Sequence, residues 1–462
     1  MFQRDRAVKD EAPKGLCRLV AGKSVRYNKA IMALKSTYKA YRKSISYLLQ
    51  WLTAALVLGP ICAAIVLGFQ KIIVLATGLT QNSWMEFFFP VIAGFLLGFI
   101  IYIVSPESSG EGVPMYITSM NQRDGYIDKV TTLMKFCAAT LTLAFNGTGG
   151  LAGPMIMVNG GIGSFFGRRF LRKFLVISEA LSFKKDDFRI VTLCGVSAAL
   201  GALLQSPLGG GIFAVEVLYK SAISYEMVFP AVLSSACGYI CYSLYPWSEP
   251  SAPIVLGEVS LNLIPGIVLS GILAGIFGLL FVMMYEMVFR WFERLPVRTA
   301  WKPVIGGVIC GLVGMLFLRL TGYRITGVGF DLYNAMRTGQ FEAPLGLILL
   351  ILLGRICMTS FTVGSGPSAG FTFPAFLVGA LSGQIVLNLV AVGDPQAMHA
   401  FMAAGIAGSL AAILNVPVAA CVIVMDQFGL NFGIPAVIGG IIAYQIAKPT
   451  VIYHYVEEGA DE

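Results

Sequence analysis

Long runs of Leu, Ile, Val, Ala, Gly and Phe, separated by short polar breaks, fill the chain from about Tyr47 to Ile446. A helix crossing a bilayer core of roughly 30 Å needs about 20 apolar residues. Runs of that order are Tyr47 to Phe69, Glu86 to Ser105, Met227 to Tyr245, Leu263 to Phe289, Val304 to Leu320 and Leu345 to Phe361. Shorter apolar runs, Ile190 to Gln205, Leu208 to Tyr219, Phe401 to Leu414 and Val418 to Phe428, form two pairs broken at Pro207 and Pro417. They predict helices that stop partway through a membrane or tilt strongly. Strict alternation of apolar and polar residues is weak, which favours helices over a membrane barrel.

Two of the broken runs match each other. At an offset of 210, CGVSAALGALLQSPLGGGIFAVE lies against AGIAGSLAAILNVPVAACVIVMD, pairing Gly195 with Gly405, Gln205 with Asn415, Pro207 with Pro417 and Glu216 with Asp426. At an offset of 220, GLAGPMIMV faces GFTFPAFLV, so that Gly150, Pro154, Val158 and Gly163 fall opposite Gly370, Pro374, Val378 and Gly383. Two motifs at nearly one offset imply a duplication, with halves of about 86–250 and 300–447. Paired Gly/Pro-interrupted hydrophobic segments in duplicated halves point to a transport site between the halves.

Composition sharpens this picture. The chain of 462 residues is 56% hydrophobic and 13% charged, with a mean hydropathy of +0.77, so a lipid bilayer is its main solvent. The net charge of +8 is concentrated near the start, where residues 1–46 hold twelve Lys/Arg against Asp5, Asp10 and Glu11. This reads as a basic cytoplasmic segment under the positive-inside rule, and not as a nucleic-acid surface or a cleaved signal. Arg168, Arg169, Arg172 and Lys173, and then Arg290, Arg294 and Arg298, mark further cytoplasmic loops. Cys237 and Cys241 are four apart but have no His or further Cys nearby, so neither a metal site nor a disulfide framework is expected. His399 and His454 stand alone, and no catalytic set surrounds them; an enzyme is not expected, nor is any cofactor.

Three Gly-rich segments interrupt the apolar helices: SSGEGVPM at 108–115, FNGTGGLAGPMIMV at 145–158 and GSGPSAGFTFPAFLV at 364–378. Each leads through glycine into a proline that opens a helix, leaving free N–H donors and the positive end of the helix dipole at the break. Several such ends turned toward one point make a site for an anion. Backbone donors bind chloride loosely enough to release it, whereas a lysine there would hold it too tightly and be costly to bury. The run GSGPSAG lacks the Lys-Ser/Thr ending of a nucleotide-binding P-loop.

GEGVP (Gly110, Glu111, Gly112, Val113, Pro114), GLAGP (Gly150, Leu151, Ala152, Gly153, Pro154) and GFTFP (Gly370, Phe371, Thr372, Phe373, Pro374) resemble the three anion-selectivity motifs of the CLC chloride channel and transporter family. Those motifs are usually written GSGIP, GREGP and GxFxP. The resemblance spans essentially the whole chain, and it is to members without CBS domains. It implies an all-α integral membrane fold of tilted and broken helices in two inverted halves. It also implies a homodimer with one pore per subunit, and chloride or a related anion as the ion bound by the three motifs.

Several positions depart from the family. The gating glutamate of GREGP is Ala152, and the proton-relaying glutamate after the proline break is Val217. The neighbouring Glu216 reads as a helix-end residue pairing with Lys220. Glu111 replaces the family's ion-contacting serine, and two readings of it stand. Its carboxylate is a tethered anion and replacement gate, or it faces an aqueous vestibule and caps the helix beginning at Pro114. Thr372 offers a hydroxyl where the family has phenylalanine. Tyr453 lies two residues beyond the place of the family's ion-contacting tyrosine, which is Val451.

The expected function is therefore passive transport of chloride or a similar small anion. The alternative is a chloride/proton antiporter using Glu111 or another carboxylate. The expected organisation is a 1–46 basic segment, a 47–456 transmembrane domain and a 457–462 acidic tail, in a prokaryotic inner membrane with the N-terminus cytoplasmic.

Overall fold

A computed structural model of the chain describes residues 12–79, 83–171, 187–219, 224–246, 259–390, 395–450 and 452–453. The first half contains α1 (Ala12–Leu79), α2 (Ser83–Phe99), α3 (Val113–Gln122), α4 (Lys129–Ala144), α5 (Ala152–Phe166), α6 (Asp187–Leu204), α7 (Gly209–Glu216) and α8 (Tyr225–Leu244). A long helix, α9 (Ile264–Arg294), leads into the second half. There follow α10 (Lys302–Thr321), α11 (Phe330–Arg337), α12 (Leu345–Gly364), α13 (Thr372–Val390), α14 (Pro395–Leu414), α15 (Pro417–Phe428) and α16 (Gly433–Ala447). Among the described residues ten helices are long and apolar enough to cross a membrane, and there is no strand beyond one isolated bridge.

The helices α2 to α8 recur in order as α10 to α16, and the contacts between the two sets come in exchanged pairs. Gly150 and Gly370 donate to each other's carbonyls at 2.6 and 2.7 Å, forming the antiparallel bridge. Gly110 N–H donates to Gly366 O at 3.0 Å, while Gly327 N–H donates to Asn146 O at 3.1 Å. Thr148 N–H reaches Thr362 Oγ1 at 3.2 Å, and Ser368 N–H reaches Thr142 Oγ1 at 3.1 Å. Gln205 and Asn415, paired in the sequence, both have positive φ, at 50° and 59°.

A two-fold axis between two copies produces this doubling. It also fixes their relative direction. Glu216, ending α7, accepts from Val418 and Ala419 N–H at the start of α15, at 3.0 and 2.7 Å. Asp426, near the end of α15, accepts from Ser206 Oγ and from Leu208 and Gly209 N–H at the start of α7, at 2.6, 3.1 and 3.2 Å. Each helix caps the other's N-terminus, which requires α7 and α15 to run antiparallel. The halves are inverted, as the family resemblance implies.

Helix boundaries correct the sequence reading in places. α6 and α14 have 18 and 20 residues, longer than the apolar runs suggested and long enough to cross a membrane. α14 is buried throughout its most apolar window, which frees it from the need to present a lipid-facing surface. Small residues allow this burial: a side chain on Gly405 would strike Gly379 O, and one on Gly195 would strike Asn159 O. α1 continues past Phe69 to Leu79, with Gln70 Oε1 accepting from Tyr242 Oη at 2.9 Å, so a polar pair does not end the span. The prolines of the three motifs are the second residue of α3 and the third of α5 and α13. All lie in the first turn, where no intrahelical bond is lost.

Candidate functional site

The GEGVP loop turns through Gly110 and Gly112, whose φ angles of 67° and 112° suit glycine. A Cβ on Gly112 would also lie 2.6 Å from Gly153 O, so the GEGVP and GLAGP loops are in main-chain contact. Beneath them Lys135 of α4, fully buried, donates from Nζ to Ser108, Ser109 and Gly110 O at 3.2, 3.1 and 2.7 Å. Its three ammonium hydrogens are thereby matched by three carbonyls.

Glu111 is 4% exposed, and its carboxylate is held by donors from separate parts of the chain. Val113 N–H donates to Oε2 at 2.7 Å, while Tyr453 Oη and Phe371 N–H donate to Oε1 at 3.3 and 3.5 Å. Gly153 is so close that a Cβ there would strike Oε1. All three motifs and the C-terminal tyrosine thus meet at one carboxylate. Glu111 does cap α3, through Val113, but it is buried and does not face an aqueous vestibule.

The ends of α5 and α13 also open on a cavity of about 320 Å³. Leu151, Ala152, Thr372 and Phe373 line it, together with polar residues that include Lys71 and Gln205. Thr372 is 1% exposed, and its Oγ1 has no hydrogen-bond partner among the described residues.

Val217 is fully buried at the C-terminal end of α7. The carboxylate of Glu216 caps α15, and Lys220, its expected partner, lies outside the described residues. His399 is bound to Pro395 O and Arg337 O at 2.7 and 3.0 Å, and His454 lies outside the described residues. Cys237 and Cys241 are free thiols, and among the described residues no cluster of His, Cys, Asp and Glu could hold a metal.

The residue that sequence reasoning missed is Lys135. Its signal was the offset of 220, which places it opposite Arg355 of α12. Arg355 Nη1 donates to Ile325, Thr326 and Gly327 O at 3.2, 3.1 and 3.0 Å, and Nη2 donates to Val328 O. Both cations gather the carbonyls of the loop before a short helix. At the place corresponding to Glu111, the second half has Val328.

A bundle of inverted halves with ten helices long and apolar enough to cross a membrane, its broken helix ends converging on a buried carboxylate, has the build of a multi-pass integral membrane protein. The family profile described as "Voltage gated chloride channel" matches residues 93–448, and the chain belongs to that family, the CLC proteins. An uncharacterised protein of Methanocaldococcus jannaschii is 27% identical over 359 residues, covering 78% of this chain and 84% of its own. A chloride/fluoride channel protein of Pseudomonas syringae pv. tomato is 23% identical, with 81% and 78% covered. Among solved structures, a CLC-type fluoride/proton antiporter superposes with a TM-score of 0.74 at 21% identity, over 88% of this chain and 97% of that one. A slow cyanobacterial chloride/proton antiporter gives 0.70 at 21% identity, over 87% and 94%.

Proposed function

We propose that this protein lets chloride, or a similar small anion, pass down its electrochemical gradient, and that the Glu111 carboxylate is a tethered anion which the passing ion displaces. The observation that carries this reading is the set of donors on Glu111, drawn from the GEGVP and GFTFP loops and from Tyr453, with Gly153 of GLAGP against it. Groups that hold a carboxylate oxygen in a water-poor site hold a halide by the same charge and hydrogen bonds. At the outer end Ala152 supplies no competing carboxylate. On the other side Val217 is apolar and Glu216 is engaged in capping α15, so neither offers a proton relay.

On this reading the protein is a homodimer with one pore per subunit, in a prokaryotic inner membrane with its N-terminus in the cytoplasm. The motif resemblance supports the dimer, and the basic residues at the start and at Arg168, Arg169, Arg290 and Arg294 support the orientation. A proton-coupled antiporter is the second reading, and the observation favouring it is the same Glu111, an ionisable group at the centre of the donor set.

The test is flux from proteoliposomes monitored with chloride and pH electrodes together. Passive transport predicts chloride efflux under an imposed gradient with no coupled proton movement. Protonation removes the charge of Glu111, so wild-type flux is expected to rise as pH falls, while Glu111→Gln is fast and nearly flat with pH. Stoichiometric proton uptake, lost in Glu111→Gln, would establish the antiporter instead.

A further inference from the structure

We infer that a basic clasp between α4 and α5 is a binding site for an anionic phospholipid, with the headgroup phosphate held by Lys129 and Arg168. Tyr126 and Lys129 lie three residues apart at the entry to α4. Phe165 and Arg168 lie three apart at the end of α5 and in the π-helical turn Gly167–Leu171 that extends it. Each cation rests on the ring of the other segment. Lys129 Nζ is 4.6 Å from the centre of the Phe165 ring, and the Arg168 guanidinium is 5.1 Å from that of Tyr126. Phe188 of α6 adds a second ring, 5.9 Å from Arg168. This crossed pairing anchors both cations at one junction of the two segments without neutralising either.

Both cations keep donors for a ligand. Lys129 is exposed, and among the described residues its ammonium touches the Phe165 ring and no hydrogen-bond acceptor. Arg168, also exposed, donates from Nη2 to Asp124 O at 3.1 Å and keeps its other N–H groups, and Arg169 beside it is exposed as well. Two carboxylates share the stretch, Asp124 and Asp128. Asp128 is already engaged, accepting from Val130 and Thr131 N–H at 2.8 and 3.3 Å and from Tyr126 Oη at 3.4 Å. The clasp sits where polar chain gives way to an apolar surface: Val130 and Leu133 of α4 are 52% and 58% exposed, and Leu133 follows Lys129 by one helical turn. A phosphodiester seated on the two cations lays its acyl chains against Val130 and Leu133. The arginine fork receives two phosphate oxygens at once, and the lysine adds a point charge. The ammonium of a zwitterionic headgroup is repelled by both cations, so the clasp selects an anionic lipid.

The test titrates phosphatidylglycerol into the delipidated full-length protein in detergent and follows bound lipid by native mass spectrometry. Phosphatidylcholine and glycerol phosphate serve as comparisons. Wild type is expected to bind phosphatidylglycerol about tenfold more tightly than phosphatidylcholine. Lys129→Gln with Arg168→Gln should weaken phosphatidylglycerol about tenfold, and Lys129→Gln alone about threefold. Lys129→Arg, which keeps the charge, should stay within about twofold of wild type. Arg294→Gln with Arg298→Gln removes the same charge from another basic stretch and should also stay within about twofold. Equal loss in the two double variants would overturn the site, because overall positive charge would then account for the binding. Equal affinity for phosphatidylcholine would overturn it as well. Displacement of phosphatidylglycerol by an equal amount of glycerol phosphate would make free phosphate the ligand and sink the lipid assignment.

Discussion

A buried ion survives in a membrane only where its hydrogen-bonding capacity is met. Lys135 meets this condition with three carbonyls, and Glu111 with two amides and a phenol. Lys135 also offsets the charge of Glu111 through the loop that both grip. Removing one charge leaves the other unbalanced, at a cost of about 3–5 kcal/mol. Lys135→Met is therefore expected to lower the thermal midpoint of the detergent-solubilised protein strongly or to prevent folding. Glu111→Gln with Lys135→Met should recover a substantial part of the loss, because the orphaned carboxylate is gone. A double variant no more stable than Lys135→Met alone would show that Lys135 serves the carbonyls and not the charge.

Among the elements, α7 and α15 are short, with 8 and 12 residues, and each relies on the other for its N-terminal cap. Losing a carboxylate that accepts two amides costs about 1–2 kcal/mol. Asp426→Ala and Glu216→Ala should each lower stability by about that amount, and Asp426→Asn by less, as measured by thermal unfolding in detergent. No change in either alanine variant would mean that water replaces the caps. These elements also show how far the chain could be read without coordinates. Pro207 and Pro417 announced the breaks, and the match of Glu216 with Asp426 announced the pairing, because a proline and a repeat are both local to the sequence. The capping was not legible: Glu216 and Val418 are 202 residues apart, and an i+4 lysine was the nearer explanation. α4 escaped notice as an element because Lys129 and Lys135 interrupt its apolar run, although the burial of Lys135 is what holds the GEGVP loop. Tyr453 was placed at the site by resemblance, but its contact with Glu111, 342 residues away, required the fold.

At the scale of the whole molecule, the directions of the helices fix which face each end occupies. α1 and α8 run parallel, since Tyr47 Oη donates to Glu226 O and Tyr242 Oη to Gln70 Oε1, at 3.2 and 2.9 Å. Gln50 Nε2 reaches Asp187 at the start of α6 at 3.1 Å, so the beginning of α6 and the early part of the α1 span share a face. The cavity, lined by Lys71 and Gln205, lies at the opposite ends of both helices. α14 runs against α6 by the inversion, and α9 runs with α14: Gly266 abuts Phe401, and Gly278 abuts Ala412. Arg294, at the end of α9, therefore lies on the face away from the cavity. At about 46 Å for its 31 residues, α9 is half as long again as a bilayer core and reaches beyond it there. With the basic face in the cytoplasm, as proposed, the cavity is expected to open outward. In a variant freed of native cysteines, Lys71→Cys should react with an impermeant maleimide added outside intact cells. Arg294→Cys should react only after the membrane is opened. The reverse pattern would invert the orientation and make the cavity a cytoplasmic entrance, while both sites labelled from one side would contradict the helix directions themselves.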